Sequence, residues 1–107
     1  MATSDPVQYV GRFAPSPTGP LHFGSLLTAV ASYVQGRVNG GQWLLLMEDI
    51  DPPREQPGAT YLIVSALEKY GFEWDERVIY QSDSNLAHLA AVEELRRNDL
   101  AYHCGCS

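Results

Sequence analysis

The stretch GRFAPSPTGPLHFGS, Gly11 to Ser25, limits most sharply what this chain can fold into. Prolines at positions 15, 17 and 20 remove backbone donors and fix φ, so no strand or helix runs through it. It lies between two apolar segments and reads as a stiff loop joining a strand to a helix. Gly19 and Gly24 permit close backbone approach. The loop delivers His22 and Ser25 to a helix N-terminus, where free N–H groups and the helix dipole favour anions. His22 can donate to a phosphate and Ser25 adds a hydroxyl, which together make a candidate nucleotide cradle. The segment is neither a Walker loop nor a dinucleotide fingerprint. Its alternative reading is a rigid turn that caps a helix, with His22 satisfied by backbone.

The rest of the chain alternates. QYVGRF (Gln8 to Phe13) reads as a short strand. From Leu21 to Arg37, Leu26, Leu27, Val30, Ala31 and Val34 recur at helical spacing, and VNGG ends that helix. QWLLLMEDI (Gln42 to Ile50) reads as a strand buried on both faces. The proline-rich DPPREQPG follows, then a helix from Ala59 to Tyr70 with Leu62, Ile63, Ala66, Leu67 and Tyr70 on one side. RVIYQS is a weak third strand, Leu86 to Asn98 a third helix, and Leu100 to Cys104 a candidate fourth strand. This order predicts an α/β fold, an open parallel sheet with helices on its faces. Ligands bind such sheets beyond the carboxyl ends of the strands. Both Arg12–Ser16 and Glu48–Asp51 follow a predicted strand, so two chemically loaded segments fall on one edge.

Arg12 is a fork-shaped donor suited to a carboxylate, and its alternative is a surface arginine paired with Asp49 or Asp51. Glu48, Asp49 and Asp51 can take an ammonium group or a magnesium ion, or form a solvated acidic loop. Their convergence favours a site for a zwitterion, an amino acid, with Arg12 on one side and Glu48 on the other. Trp43, Tyr61, Tyr70, Phe72 and Trp74 read as core or helix-packing residues rather than base-stacking platforms.

A chain of 107 residues fits one domain. Seven basic against thirteen acidic residues, a net charge of −6, argue against nucleic-acid binding by diffuse electrostatics. MATSDPVQ has neither a basic head nor an apolar run, so no secretory signal is expected. No apolar run approaches membrane-spanning length, and a cytoplasmic location is expected. Cys104 and Cys106 are too close to bridge without strain and read as reduced thiols or metal ligands. Zinc takes four ligands and the C-x-C pair supplies two; His103, next to Cys104, is poorly placed for the same ion.

The Gly11–Ser25 segment resembles the first signature of class I glutamyl-tRNA synthetases, R-x-A-P-S-P-T-G-x-L-H-x-G, and MEDIDPPRE resembles their second glutamate-site segment. The resemblance runs through most of the chain. Three details resemble one branch, the glutamyl-queuosine tRNA(Asp) synthetases: LHFGS leading directly into an apolar helix, EDIDPPR, and YHCGC. It implies a Rossmann-type sheet forming the N-terminal half of a class I aminoacyl-tRNA synthetase catalytic domain. Residues 1–107 would be the N-terminal part of that nucleotide-binding domain, ending within a zinc-binding element. It implies that glutamate and ATP, the latter with Mg2+, react to glutamyl-adenylate, and that the glutamyl group passes to the queuosine of tRNA(Asp). Arg12, Phe13, Ala14, Pro15, Ser16 and Glu48 would bind glutamate. His22, Gly24 and Ser25 would bind ATP, with His22 and Ser25 acting in catalysis. Cys104 and Cys106 would hold zinc together with downstream ligands. A monomer is expected. The Lys-Met-Ser-Lys-Ser type ATP motif does not occur in these residues, so the chain alone is expected to be an incomplete enzyme, a fragment or truncated product. The alternatives are a piece of an ordinary glutamyl-tRNA synthetase and a non-catalytic nucleotide- or zinc-binding module.

Overall fold

A computed structural model of the chain describes residues 7–106; residues 1–6, most of the stretch read above as no signal, and residue 107 lie outside them. The elements run β1 (Val10–Phe13), α1 (Phe23–Val38), β2 (Gln42–Met47), a 3-10 turn (Pro52–Arg54), α2 (Ala59–Lys69), β3 (Ile79–Tyr80), a second 3-10 turn (Gln81–Ser84) and α3 (Asn85–Arg97). The three strands form a parallel sheet in the order β1-β2-β3. Each predicted helix is present, as are the first three strands. Leu100 to Cys104 is not a strand, and no sheet partner lies beside it among the described residues.

Alternation in the strands decides which residues are inside. Gly11 and Phe13 of β1 and Trp43, Leu45 and Met47 of β2 are buried, and their sheet neighbours are not. The buried set packs with Ala29 of α1 and with Ile63 and Leu67 of α2, which places both helices on one face. The opposite face carries Val10, Arg12, Leu44 and Leu46, none of them buried. β2 is therefore covered fully on one face only, and the expectation of helices on both faces fails within the described residues.

Trp43 centres the core. Its ring stacks between Phe13 (6.2 Å between centroids) and Phe72 (5.5 Å), and the edge of Tyr33 meets it at 5.0 Å. Such pairs add about 0.5–1.5 kcal/mol each beyond area burial. The indole Nε1–H donates to Ser32 Oγ at 2.9 Å, so no polar atom of the ring is stranded. Asp75 closes this end of β2. Its carboxylate accepts the Trp43 N–H at 2.8 Å and pairs with Arg37 at 3.0 Å, and its own N–H donates to the Trp43 carbonyl. Phe72 and Trp74 lean on the core, but Tyr61 and Tyr70 are exposed, so the core half of their core-or-helix-packing reading does not hold.

The helix faces correct the periodicity reading. In α1 the buried residues are Ala29 and Gly36, while Leu27, Val30 and Val34 are exposed. Small residues let the helix axis approach the sheet, and the larger aliphatic stripe turns outward. In α2 the buried line is Ala59, Ile63 and Leu67, one residue every turn, with Leu62 and Tyr70 exposed. The strand entry after α1 needs glycine at 41: a Cβ there would lie 2.1 Å from the Tyr9 carbonyl oxygen, which accepts the Gln42 N–H. α3 buries none of its residues. The radius of gyration, 17.3 Å, exceeds the about 13 Å of a compact chain this long.

Candidate functional site

The proline loop leaves β1 at Phe13 and enters α1 at His22, the N-cap residue, whose backbone is extended (φ −97°, ψ 172°). The imidazole Nδ1 accepts the Ser25 N–H at 3.3 Å. With Nδ1 accepting, Nε2 carries the ring proton, and it lies 3.1 Å from Ser25 Oγ. The backbone-satisfied alternative for His22 is thus part of the answer: one ring nitrogen caps the helix, and the other stays on the exposed lip with the serine hydroxyl. A Cβ at Gly24 would sit 3.1 Å from His22 Cε1 and 3.2 Å from Nδ1, so a side chain there would press the ring to shift by a few tenths of an ångström. No acidic residue occupies the first turn of α1, so nothing opposes an anion at its positive end.

A cleft of about 320 Å³ opens beside this helix start. Phe13, Ala14, Pro15, Ser16, His22 and Ser25 line it, together with Thr18, Thr28 and Ile63. Arg12, Gly24 and Glu48 do not. Arg12 is exposed on the strand face opposite Phe13 and has no ion pair among the described residues, so the alternative pairing with Asp49 or Asp51 is absent. Glu48 is half-buried beyond β2. Its N–H donates to the Pro15 carbonyl at 2.9 Å, which joins the two loaded segments at one sheet edge.

The other acids have partners. Asp49 accepts the Ser82 N–H at 2.8 Å and the Ser82 hydroxyl at 2.6 Å. Burial pushes the Asp49 carboxyl up, but the hydrogen bonds from Ser82 and neighbouring backbone N–H groups outweigh it and hold the group below the usual carboxylate range. Asp51 lies 3.5 Å from Arg54. The acidic segment therefore forms no cation cage, and no group of three or more His, Cys, Asp or Glu side chains suited to a metal occurs among the described residues. The Gln56 N–H donates to Pro17 at 3.0 Å and braces the proline loop from DPPREQPG, a contact without a sequence signal. The Asp49–Ser82 pair was equally hidden, because thirty-three positions separate its members.

Cys104 and Cys106 are free and exposed. The Cys106 N–H points to Cys104 Sγ at 3.4 Å and holds that thiol below its ordinary pKa. The pair supplies two of the four donors zinc requires, and the described residues supply no third, so no chemistry is derived through a metal here.

The comparisons with known proteins agree with this fold. Residues 8–107 match the family described as tRNA synthetases class I (E and Q), catalytic domain. The chain is 55% identical over 106 residues to a glutamyl-Q tRNA(Asp) synthetase of Yersinia pestis, covering 99% of this chain and 33% of that protein. It is 61% identical over 99 residues to one of Pseudomonas aeruginosa, covering 92% and 34%. The chain thus spans about a third of the length of these curated relatives. Among solved structures, a glutamate-tRNA synthetase of Elizabethkingia anophelis superposes with a TM-score of 0.80 at 35% identity, over 85% of this chain and 20% of that one. With a parallel sheet, a proline loop at the strand edge and a matching family over nearly its whole length, the chain belongs to the class I tRNA synthetases of the glutamate and glutamine group, in their catalytic domain.

Proposed function

We propose that the full-length protein bearing this chain activates glutamate with ATP and transfers the glutamyl group to the queuosine of tRNA(Asp). The observation that carries the reading is the Glu48–Pro15 hydrogen bond, which sets the candidate ammonium acceptor against the loop that enters α1. In this reading Phe13 to Ser16 shape the glutamate pocket and Glu48 takes the ammonium, while Arg12, on the opposite strand face and outside the cleft, meets the substrate carboxylate around the end of β1. ATP lies at the start of α1, with Gly24 giving room and His22 Nε2–H and Ser25 Oγ turning to phosphate oxygens. A glutamate carboxylate oxygen attacks the α-phosphorus, the α–β phosphoanhydride breaks, and pyrophosphate leaves. No side chain forms a covalent intermediate. Holding the two reactants in line can supply about 7–11 kcal/mol of barrier reduction. Developing phosphate charge meets the positive end of α1. Magnesium would enter with the nucleotide rather than on Asp49 or Asp51. Cys104 and Cys106 would give two thiolates to a zinc site whose other ligands lie outside the described residues. The reading places the protein in the cytoplasm; no described helix is long and apolar enough to cross a membrane.

A second reading, ordinary glutamyl-tRNA synthesis, is favoured by the solved neighbours, which are glutamate-tRNA synthetases. Glutamate-dependent ATP–pyrophosphate exchange by the full-length protein, with and without tRNA, separates the two. Exchange without tRNA, followed by transfer to queuosine-bearing tRNA(Asp), is expected. Strict dependence on tRNA would sink the first reading in favour of the second.

A further inference from the structure

The 3-10 turn Gln81–Ser84 receives no side-chain cap from its own N-cap residue, Tyr80. Asp49, two residues beyond β2, provides one. The parallel register pairs Met47 with Tyr80, and two residues further on Asp49 faces Ser82. Both carboxylate oxygens are used: Oδ1 takes the Ser82 N–H at 2.8 Å and Oδ2 takes the hydroxyl at 2.6 Å. Charge-assisted hydrogen bonds of this length are the strong kind. Glu48 immediately precedes Asp49, and its own N–H is held by Pro15 on the β1 side. The backbone at Glu48 is therefore pinned on one side by the proline loop and on the other by the β3 turn. In the same turn Gln81 Oε1 is buried with no donor among the described residues.

We propose that Asp49 is a positioning residue for the glutamate site: by clasping Ser82 it fixes the backbone that aims Glu48. The proposal rests on the reading of Glu48 as the ammonium acceptor. It differs from the magnesium-ligand alternative for the acidic segment in giving both carboxylate oxygens to Ser82.

The test is exchange kinetics on the full-length protein carrying Asp49→Ala, Ser82→Ala or Ser82→Thr, with glutamate and ATP varied separately. Loss of both bonds in Asp49→Ala should raise KM for glutamate about tenfold and leave KM for ATP unchanged. Ser82→Ala, which keeps the backbone bond, should raise it about threefold, and Ser82→Thr should restore it. Ser82→Ala decides the matter if Asp49→Ala does not fold. A glutamate KM unchanged in the folded variants, or rising equally with that for ATP, overturns the positioning role while leaving the glutamate reading intact. A parent protein with no glutamate-dependent exchange overturns both.

Discussion

The Glu48 N–H donates to the Pro15 carbonyl at 2.9 Å, although thirty-three residues separate them. This bond continues the parallel pairing of β1 and β2 beyond its last registered pair, Phe13 with Leu45. It converts two sequence motifs into one edge of a sheet. The cleft then forms between the proline loop and the first turn of α1, with Ile63 of α2 as its floor.

Gly24 sits against the His22 ring at this edge. Alanine there would press on the His22 ring, which lies 3.1 Å from the added carbon. Losing the His22 cap costs about 1 kcal/mol, and replacing glycine by alanine in a helix returns a similar amount. Gly24→Ala should therefore leave the urea midpoint within experimental scatter and raise KM for ATP several-fold. A KM for ATP equal to the parent's would reject the coupling of Gly24 to the nucleotide through His22.

The α1 faces give a stability prediction for the 107-residue polypeptide. Ala29 is fully buried against the sheet, and Val34 is 52% exposed. Ala29→Leu should cost about 1–3 kcal/mol through overpacking. Val34→Ala should stay within about 0.5 kcal/mol. Urea unfolding measures both. The reverse ranking would restore the aliphatic stripe as the inner face.

Asp75 links folding to acid. The Trp43 N–H, and after it the Arg37 guanidinium, hold its carboxyl below the ordinary value. A carboxyl lowered in the folded state stabilises it above the unfolded pKa of about 3.9, and that stabilisation is lost as pH falls through the folded value. Asp75→Asn should be less stable than the parent at neutral pH, and the gap should close in strong acid. Urea titrations across that range check the sign. A gap of constant size would mean that the residue acts through shape rather than charge.

The C-x-C pair is tested by metal content. Cys104→Ser in the full-length protein should lower bound zinc per chain, because a four-ligand structural site loses one thiolate and is left with an open position. Equal zinc in parent and variant would remove Cys104 from any metal site.

Much of this architecture is legible from residues that act locally. Prolines 15, 17 and 20 forbid regular structure, and Asn39 and Gly40 stop α1. The alternation of strand and helix announces a parallel sheet, and the motif at Gly11–Ser25 announces the family. These signals are short-range: each depends on φ restriction, hydrogen-bond donors or spacing within a few positions. The inside of α1 was not legible, because periodicity reports where apolar residues lie and not which face a partner covers. Ala29 and Gly36 are inside because small side chains let the helix approach Gln42 and Trp43, and the aliphatic stripe is exposed among the described residues. The absent strand after Leu100 follows from the same cause, since an extended segment becomes a strand only when another lies beside it. Tertiary structure alone decided that Asp49 holds Ser82 rather than Arg12 or a cation, and that Glu48 meets Pro15. Both contacts join segments more than thirty residues apart, and only the register of a folded parallel sheet brings such segments together.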